Sequence, residues 1–309
     1  MSQDYSLIIH GGAGSLEDLK YEATESEFQQ SITAILEKGR SRLAQGDRAL
    51  DVVEYCAALL EDDPLYNAGR GSVLNAEGSV EMDAALMNGS DLRAGAVACL
   101  KSIKNPISLA RRVLEHGEHV MLVSDGALEF AKFCDIETYP DDYFITAPRI
   151  KQLAEAKAAG RMVLDHERIK PSQKLGTIGA VARDLQGNLA AATSTGGLVN
   201  KRWGRVGDTP VIGAGVFADN ATCAVSATGY GEQFLRTVFA KTISDYVQFR
   251  GMDAAAAAQA GVEYLVAKVN GEGGVIVIDH AGRCATAQST SGLIHCWIER
   301  GGETHCKLG

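Results

Sequence analysis

Hydroxyl side chains and glycines are concentrated in four short segments of the second half of the chain. A threonine or serine at the end of a strand, beside flexible glycines, can present a nucleophile and backbone hydrogen-bond donors to one pocket. A hydroxyl needs a base to become a good nucleophile. No histidine lies within these segments, because His166 precedes them and His280 follows far downstream. The segments are residues 176–182, 192–197, 204–208 and 227–232.

Thr177 would gain a base if the chain were cut directly before it, since its own α-amine would then lie within hydrogen-bond reach of its hydroxyl. Such an amine titrates near about pH 7.7 to 8.0, so roughly 10 to 20% of it is free base at neutral pH. Gly176 permits the strained backbone geometry that attack on its own carbonyl requires. On pattern alone, an ordinary strand that begins with Gly-Thr is the simpler interpretation.

The overall composition excludes several other classes of function. The chain has 309 residues, 46% of them hydrophobic and 22% charged, and a formal net charge of -9. That charge has the wrong sign for nucleic acid or anionic membrane surfaces, and no run approaches the roughly 20 apolar residues of a membrane helix. No basic region precedes the first apolar run. We therefore expect a soluble, cytoplasmic protein with no nucleic-acid or membrane partner.

Metal, disulfide and nucleotide sites are not predicted. The seven cysteines are odd in number and never spaced as C-x-x-C, so neither a disulfide framework nor a zinc site is expected. No phosphate loop, nucleophile elbow or H-E-x-x-H motif occurs. Residues 213–218 satisfy the G-x-G-x-x-A dinucleotide fingerprint, but Asp219 and Asn220 follow where a helix should open. An oxidoreductase is therefore disfavoured.

Hydrophobic periodicity predicts a helix layer, sheets and a second helix layer around these segments. An apolar run at 5–10 ends at His10, where glycines predict a tight loop. Between 151 and 174, charged and small residues predict a solvated helix that runs into a mobile linker. The other predicted strands are 94–100, 178–183, 189–193, 222–227 and 275–279, and the predicted helices are 27–44, one that begins after Asp47, one from Pro106 to Gly117, 232–250 and 253–269.

Seven motifs in a fixed order carry a resemblance that covers nearly the whole chain. They are His-Gly-Gly-Ala-Gly at 10–14, Leu-Glu-Asp-Asp-Pro-Leu-Tyr-Asn-Ala-Gly at 60–69, Met-Asp-Ala at 82–84, Gly-Thr-Ile-Gly at 176–179, Thr-Ser-Thr-Gly-Gly at 193–197, Gly-Arg-Val-Gly-Asp at 204–208 and Thr-Gly-Tyr-Gly at 228–231. With them the sequence resembles the plant-type (type III) L-asparaginase and isoaspartyl peptidase family of N-terminal nucleophile hydrolases.

The resemblance implies the architecture. It indicates a single domain over residues 1–309, of the α/β class, with a four-layer αββα sandwich. It also implies self-cleavage between Gly176 and Thr177. The α chain would then be 1–176, with 151–176 as the mobile linker, and the β chain 177–309. The two chains would stay together and assemble as an (αβ)2 homodimer.

The resemblance also implies the catalytic residues. Thr177 would attack the side-chain amide carbon of the substrate, with its own amine as base, and Thr195 would hydrogen-bond around this nucleophile. Thr228 and the N–H of Gly229 would form the oxyanion hole. The predicted helix near Glu232 agrees with this assignment, because a helix N-terminus favours developing negative charge.

Substrate and cation binding are implied in the same way. Arg205 would bind the substrate α-carboxylate and Asp208 the α-ammonium, with Gly229 and Gly231 lining the pocket. The alternative to this binding role is that Arg205 and Asp208 form only an exposed ion pair. Asn67 would lie near the nucleophile. A structural sodium ion is expected on backbone carbonyls, and no cofactor is expected for catalysis. The expected sodium ligands are the carbonyls of Leu60, Glu61, Asp63, Tyr66, Ala68 and Arg70.

The implied function is hydrolysis of L-asparagine and of β-aspartyl dipeptides. Both substrates carry the α-carboxylate and α-ammonium groups that Arg205 and Asp208 would bind, so this pair, the zwitterion clamp, can serve both. Two alternatives stay open. A glycosylasparaginase shares several motifs, although this chain has Gly196-Gly197 where that enzyme typically has Asn-Gly. The chain could also be an uncleaved, non-catalytic binder with the same fold. A protein that cuts itself gives two bands on a denaturing gel, and the binder gives one.

Overall fold

The structure is a computed structural model, and it describes residues 4–14, 24–158 and 176–308. Before residue 159 the elements are β1 (Ser6–Ala13), α1 (Glu25–Ala44), α2 (Ala49–Asp62), a 3-10 turn (Gly69–Gly71), β2 (Met82–Asn88), β3 (Ala94–Leu100), α3 (Pro106–His116), β4 (Met121–Val123), α4 (Ser124–Phe133), α5 (Asp141–Phe144) and α6 (Ala147–Ala158). After residue 175 they are β5 (Ile178–Arg183), β6 (Leu189–Thr195), β7 (Val216–Ala218), β8 (Cys223–Gly229), α7 (Gly231–Thr237), α8 (Phe239–Arg250), α9 (Ala254–Val269), β9 (Gly273–Asp279), β10 (Cys284–Gln288), β11 (Leu293–Ile298) and β12 (Thr304–Lys307).

Two β-sheets lie face to face at the centre of the fold. Eight strands form the larger sheet in the order β12-β11-β1-β5-β6-β2-β3-β4, in which β3 and β4 pair in parallel and the other neighbours are antiparallel. Four strands form the smaller sheet in the order β10-β9-β8-β7. Strands β8 and β9 pack across β1, β5 and β6. Since both faces of these strands are covered, their sequences are nearly continuous apolar runs.

Helices cover the outer face of each sheet. Helices α1, α2 and α3 pack on the larger sheet around one apolar core, and α8 and α9 pack on the smaller sheet around a second core. Local sequence fixes their ends: Thr24 and Glu27 form a capping box at the start of α1, and Gly117 ends α3 with φ of +78°. The result is a four-layer αββα sandwich, as expected.

One predicted helix is divided in two. The sequence predicts a continuous helix over 232–250, whereas α7 ends at Thr237 and α8 begins at Phe239. Val238 between them has φ of +46°, a left-handed conformation that a helix cannot continue through. The rings of Phe234 and Phe239 pack edge to face across the break with centroids 4.7 Å apart. Packing against the smaller sheet therefore overrides the helical periodicity.

The helix predicted from residue 151 is present, but it is not fully solvated. Helix α6 extends to Ala158, and it buries Leu153 and Ala156 in a small apolar cluster with Val80 and Phe144. Because Leu153 and Ala156 stand alone among charged and small residues, the sequence pattern is too weak to predict that they are buried. The rest of the predicted linker, 159–175, lies outside the described residues.

The cysteines also differ from the expectation. Cys296 on β11 and Cys306 on β12 form a disulfide, although no disulfide framework is predicted from the spacing. The two residues are directly paired in the ladder between neighbouring antiparallel strands. Only the register, which the sequence does not give, brings them together. Within the described residues, every helix is too short or too polar to span a bilayer.

Candidate active site

Thr177 lies directly before β5 and contacts the end of the neighbouring strand. Its hydroxyl donates a hydrogen bond of 3.1 Å to the hydroxyl oxygen of Thr195, and both side chains are buried. Thr195 is the last residue of β6, and the pairing of Ile178 with Ser194 brings it beside Thr177. The N–H of Gly197 donates to the same oxygen at 3.0 Å, which fixes the orientation of Thr195. The structure therefore brings Thr177 and Thr195, two of the predicted site residues, into direct contact.

The backbone of Gly176 packs against the glycine-rich end of β1. A side chain at Gly12 would place its Cβ 2.5 Å from the nitrogen of Gly176 and 2.8 Å from its carbonyl oxygen. Gly12 also has φ of +116°, where a residue with a Cβ is strained. A glycine is therefore required at this position, because the predicted cleavage point approaches it so closely.

Thr228 faces the same region from the smaller sheet. Ser226 of β8 lies 2.8 Å from the hydroxyl of Thr193 on β6, and Asn220, just before β8, hydrogen-bonds to Leu189 at the start of β6. Strand β8 therefore runs along β6 in the same direction. Side chains two residues apart share a face of a strand, so Thr228 faces the larger sheet near the end of β6.

The hydroxyl of Thr228 is buried and has no hydrogen-bond partner among the described residues. A buried hydroxyl without a partner costs about 1 to 3 kcal/mol, which indicates a site that a ligand completes. Gly229 ends β8, and a Cβ there would lie 2.4 Å from the carbonyl oxygen of Glu272. Gly231 begins α7. The predicted oxyanion donors thus lie at the junction of β8 and α7.

Arg205 and Asp208 meet at Gly231. A Cβ at Gly231 would lie 2.8 Å from Nη2 of Arg205 and 2.8 Å from Oδ1 of Asp208. Asp208 is 4% exposed, and its Oδ2 has no hydrogen-bond partner within the described parts of the chain. Burial raises the pKa of Asp208 to about 7, although Arg205 lowers it. A buried, unpartnered carboxylate oxygen suits an ammonium ligand.

The guanidinium of Arg205 is held by a residue that the sequence does not predict. Nε and Nη2 of Arg205 each donate to a carboxylate oxygen of Glu232 at 2.8 Å. Burial opposes ionisation of Glu232, but this pairing holds its pKa below the usual value. Nη1 takes no part in this fork and lies beside Gly207, where a Cβ would be 2.9 Å from it.

Comparison with known proteins identifies the family of the chain. A family profile described as asparaginase matches residues 3–307. The chain belongs to the asparaginase family. It is 43% identical over 295 residues to an isoaspartyl peptidase of Salmonella typhimurium, with 94% of each chain covered. It is 42% identical over 306 residues to an isoaspartyl peptidase/L-asparaginase of Bos taurus, with 96% of each covered. A plant-type L-asparaginase of Pyrococcus horikoshii is 41% identical over 312 residues, with 96% of this chain and 97% of the relative covered.

Asn67 supports the turn that directly follows Thr195. Its side-chain amide donates to the carbonyl of Gly197 at 2.9 Å and accepts from the N–H of Val73 at 2.9 Å. Its own carbonyl accepts from the N–H of Gly196 at 2.9 Å. Both ends of the Asn67 side chain are therefore occupied, and they hold the turn directly after Thr195.

The loop at 60–70, where sodium is expected in this family, brings backbone carbonyls close to glycines. A Cβ at Gly71 would lie 2.0 Å from the carbonyl oxygen of Tyr66, and a Cβ at Gly69 would lie 2.3 Å from that of Glu61. In the described residues no group of three or more His, Cys, Asp or Glu side chains is placed to hold a metal ion. Neutral carbonyl oxygens are hard ligands of the kind that such a cation takes.

Glu61 contributes a second unpredicted contact through its side chain. Its Oε1 accepts hydrogen bonds from the hydroxyl of Ser194 at 2.6 Å and from the N–H of Ile107 at 3.0 Å. Burial raises the pKa of Glu61 to about 8. Because Ser194 directly precedes Thr195, the carboxyl group links α2 and the start of α3 to the strand that carries the site. Its only signal in the sequence is the acidic pair Glu61 and Asp62 directly after an apolar run in α2.

Proposed function

We propose that this protein is a self-processing amidohydrolase that cleaves the side-chain amide of L-asparagine and the β-aspartyl bond of isoaspartyl dipeptides. The observation that carries the proposal is the buried hydrogen bond of 3.1 Å between Thr177 and Thr195, because it holds a hydroxyl nucleophile at the predicted cleavage point. The names of the relatives, isoaspartyl peptidase and L-asparaginase, support the same two substrates.

Processing uses the nucleophile on its own chain. The hydroxyl oxygen of Thr177 adds to the carbonyl carbon of Gly176, and the C–N bond breaks, so the acyl group moves from nitrogen to oxygen as an ester. Water hydrolyses this ester, which leaves a carboxylate on Gly176 and returns the hydroxyl of Thr177 beside a free α-amine. The close packing of Gly12 against Gly176 supports this step, because it restricts the carbonyl under attack.

Turnover repeats the same chemistry on the substrate. The α-amine of Thr177 accepts the hydroxyl proton while the oxygen attacks the side-chain carbonyl carbon, and the proton then passes to the leaving ammonia or amino acid. The β-aspartyl ester that remains on Thr177 is hydrolysed by water to aspartate. The hydroxyl of Thr228 and the N–H of Gly229 stabilise the oxyanion, and each such donor contributes about 3 to 4 kcal/mol.

The pair at Gly231 binds the common part of both substrates. Nη1 of Arg205 receives the α-carboxylate, and the carboxylate of Asp208 receives the α-ammonium. Free asparagine and the aspartyl part of a β-linked dipeptide carry both groups, so the clamp accepts either one. The leaving group lies on the opposite side of the scissile bond, so it does not need to contact Arg205 or Asp208.

We further infer a structural sodium ion in the 60–70 loop and no cofactor in the catalytic steps. The supporting observation is that the main-chain carbonyls of Glu61 and Tyr66 pack tightly against Gly69 and Gly71 in this loop. The ion would hold the loop that carries Asn67. Exchange of sodium for a large organic cation would lower the melting temperature if this inference is correct.

We also infer a homodimer of processed αβ units. Val120 and Val123 lie at the β4 edge of the larger sheet and Phe133 ends the helix α4 that follows it; these side chains are 55%, 51% and 72% exposed. Exposed apolar side chains at a sheet edge are typical of an interface. Light scattering of the processed protein should give twice the mass of one chain, and Phe133→Lys should reduce it to one.

A cytoplasmic location is proposed as well. The support is that Cys56, Cys99, Cys134, Cys223 and Cys284 are free thiols, which is typical of a reducing compartment. The disulfide between Cys296 and Cys306 points the other way. Fractionation of source cells with compartment markers tests the proposal.

The function is tested by following processing and turnover together. Freshly purified protein should separate into two fragments on a denaturing gel, and the smaller should begin Thr-Ile-Gly-Ala by N-terminal sequencing. Ammonia release from asparagine and aspartate release from a β-aspartyl dipeptide should rise with the processed fraction. Thr177→Ala should stay as one band and be inactive. If the protein keeps full activity while it remains a single band, the proposal is contradicted. If it remains a single band and has no activity, a non-catalytic binder is favoured.

A further inference from the structure

Lys201 is a fully buried lysine in the loop between Thr195 and Arg205. Its exposed fraction is 0%, which is rare for a lysine because burial removes the ammonium group from water. A methionine of about the same length would fill the same space without that cost. The contacts of the ammonium group show what the lysine holds in place.

Lys201 joins the segment before β2 to the loop after β6. Its Nζ donates a hydrogen bond of 2.6 Å to the main-chain carbonyl of Glu81. Its own main-chain carbonyl accepts a hydrogen bond of 2.9 Å from the N–H of Ala76. Because the backbone and the side chain are both bonded to this segment, the position of Lys201 is fixed by it.

The side chain of Lys201 lies where a side chain of Gly197 would be. A Cβ at Gly197 would be 2.9 Å from Nζ, 3.2 Å from Cδ and 3.5 Å from Cε. Gly197 has φ of +79°, which a glycine adopts without strain. The amide of Asn67 holds the carbonyl of the same glycine at 2.9 Å. The turn at 196–197 is therefore fixed by Asn67 at a carbonyl and by the stem of Lys201 at a Cα.

Gly197 connects this support to the nucleophile. Its N–H donates to the hydroxyl oxygen of Thr195 at 3.0 Å, and the same oxygen accepts from the hydroxyl of Thr177 at 3.1 Å. A shift of the turn would move the first donor and so change the direction in which the oxygen can accept the second. A displacement of about 1 Å at a reacting group can cost about a hundredfold in rate.

Asp83 is a buried carboxyl group in the same part of the fold. It is paired with Thr195 across the β2–β6 ladder, is 0% exposed and lies two residues after Glu81. Burial lowers the pKa of Lys201 and raises that of Asp83, and each charge opposes the effect of burial on the other. Oδ1 of Asp83 accepts from the N–H of Cys99 at 2.9 Å, a bond that an asparagine can also accept.

We propose that Lys201 is a positioning residue for the nucleophile. Anchored on the carbonyl of Glu81, its side chain keeps Gly197 in place, and Gly197 in turn orients the hydroxyl of Thr195. The proposal rests on the proposed function, since Thr195 is the hydrogen-bond partner of the nucleophile Thr177. It assigns Lys201 no contact with substrate and no proton transfer.

Three variants separate positioning from charge balance. Lys201→Met keeps the length of the side chain but removes its hydrogen bond and charge, so kcat should fall about 10-fold to 100-fold, with the KM for asparagine changed less than about threefold. Its melting temperature should also fall, because Asp83 then lacks an opposite charge. Asp83→Asn retains the bond from Lys201 to Glu81 and should lower kcat less. The double variant Lys201→Met with Asp83→Asn should recover the melting temperature but not kcat.

Lys101→Met is the matched control. Lys101 is exposed, and its Nζ lies 3.4 Å from a side-chain oxygen of Glu81. Both lysines therefore contact Glu81, but Lys201 bonds to its main-chain carbonyl and also lies against Gly197. We expect kcat and KM to be unchanged in Lys101→Met. Values of kcat are normalised to the processed fraction from mass spectrometry, and circular dichroism melting measures stability.

Recovery of kcat together with the melting temperature in the double variant would overturn the proposal, because Lys201 would then only balance the charge of Asp83. An equal fall of kcat in Asp83→Asn and Lys201→Met would overturn it for the same reason. So would a kcat in Lys201→Met within about threefold of normal, or loss of folding in both variants that lack the lysine. A double variant that folds but does not process would support the proposal, because the precursor uses the same hydroxyl. Failure of the proposed function is distinguishable, since the unchanged chain would then neither process nor release ammonia.

Discussion

The carboxylate of Glu232 holds the guanidinium of Arg205 through two parallel hydrogen bonds of 2.8 Å each. Glu232 lies in the first turn of α7, directly after Gly231, and Arg205 lies 27 residues earlier in a loop. A fork of this kind fixes the plane of the guanidinium as well as its position. Arg205, which we propose binds the substrate carboxylate, is therefore oriented by the helix that begins two residues after Gly229.

Glu232→Gln should weaken substrate binding. A Gln side chain can accept only one of the two hydrogen bonds and carries no charge, so Arg205 would lose its fixed orientation. We expect the KM for asparagine to rise about tenfold, equivalent to about 1.4 kcal/mol, with kcat changed less than about threefold. Steady-state kinetics on processed protein measures both. Glu263→Gln, which removes an exposed carboxylate on α9, is the matched control and should leave both constants unchanged.

Thr228→Val should separate activity from stability. Valine has nearly the same shape but no hydroxyl, so kcat should fall about 10²-fold to 10³-fold through loss of an oxyanion donor. The melting temperature should stay the same or rise, because the hydroxyl that is removed is buried without a partner among the described residues. Thr228→Ser should restore most of kcat. A Val variant within threefold of normal kcat would remove Thr228 from the oxyanion hole.

The parts of the fold that the sequence predicts are those with a local cause. Strand β5 and helices α3 and α9 begin and end close to the predicted positions, since apolar runs, a first-turn proline and an N-terminal Asp253 mark them. The break at Val238 has no local signal. It depends on how Phe234 and Phe239 pack on each other and on the sheet.

The same distinction applies to the site. The motifs that resemble a known family name Thr177, Thr195 and Thr228, and the structure adds the contact between the first two. Contacts that join distant segments are not contained in any motif. The hydroxyl of Ser194 bonds to Glu61 133 residues away, so neither residue type alone predicts the pair.

The affinity for substrate should fall in acid. The pKa of Asp208 is raised by burial to about 7, so below that pH the carboxyl group is increasingly protonated and cannot pair with the substrate ammonium. We expect the KM for asparagine to rise as the pH falls from about 8 to about 6, by about tenfold. Steady-state kinetics across this range measures the change.

The α-amine that the proposed cleavage would free on Thr177 has an ordinary pKa of about 7.7 to 8.0, and its proposed role is in the chemical step. Its protonation should lower kcat, whereas protonation of Asp208 should raise KM. Asp208→Asn should therefore have a high KM that no longer depends on pH, while its kcat profile is retained. A KM that is constant with pH in the unchanged protein would argue against an ammonium at Asp208.

Glu61→Gln should remove part of the pH dependence of stability. The pKa of Glu61 is raised by burial from 4.5 to about 8 in the folded protein. Between these values the folded state keeps a proton that the unfolded state has lost, so a rise in pH through this window favours unfolding. The penalty is absent below about pH 4.5 and complete above about pH 8. A glutamine is neutral throughout and can still accept from Ser194.

Thermal melting at about pH 5 and about pH 8 tests this prediction, since the window lies between the two. From the lower to the higher of these two pH values, the melting temperature of the unchanged protein should fall further than that of Glu61→Gln. Glu77→Gln, which changes an exposed carboxylate in a turn, should lose as much as the unchanged protein. Because the main-chain carbonyl of Glu61 is retained in the variant, the expected cation site keeps its ligand. Equal losses in all three proteins would mean that Glu61 is ionised in the folded state and that another group compensates its charge.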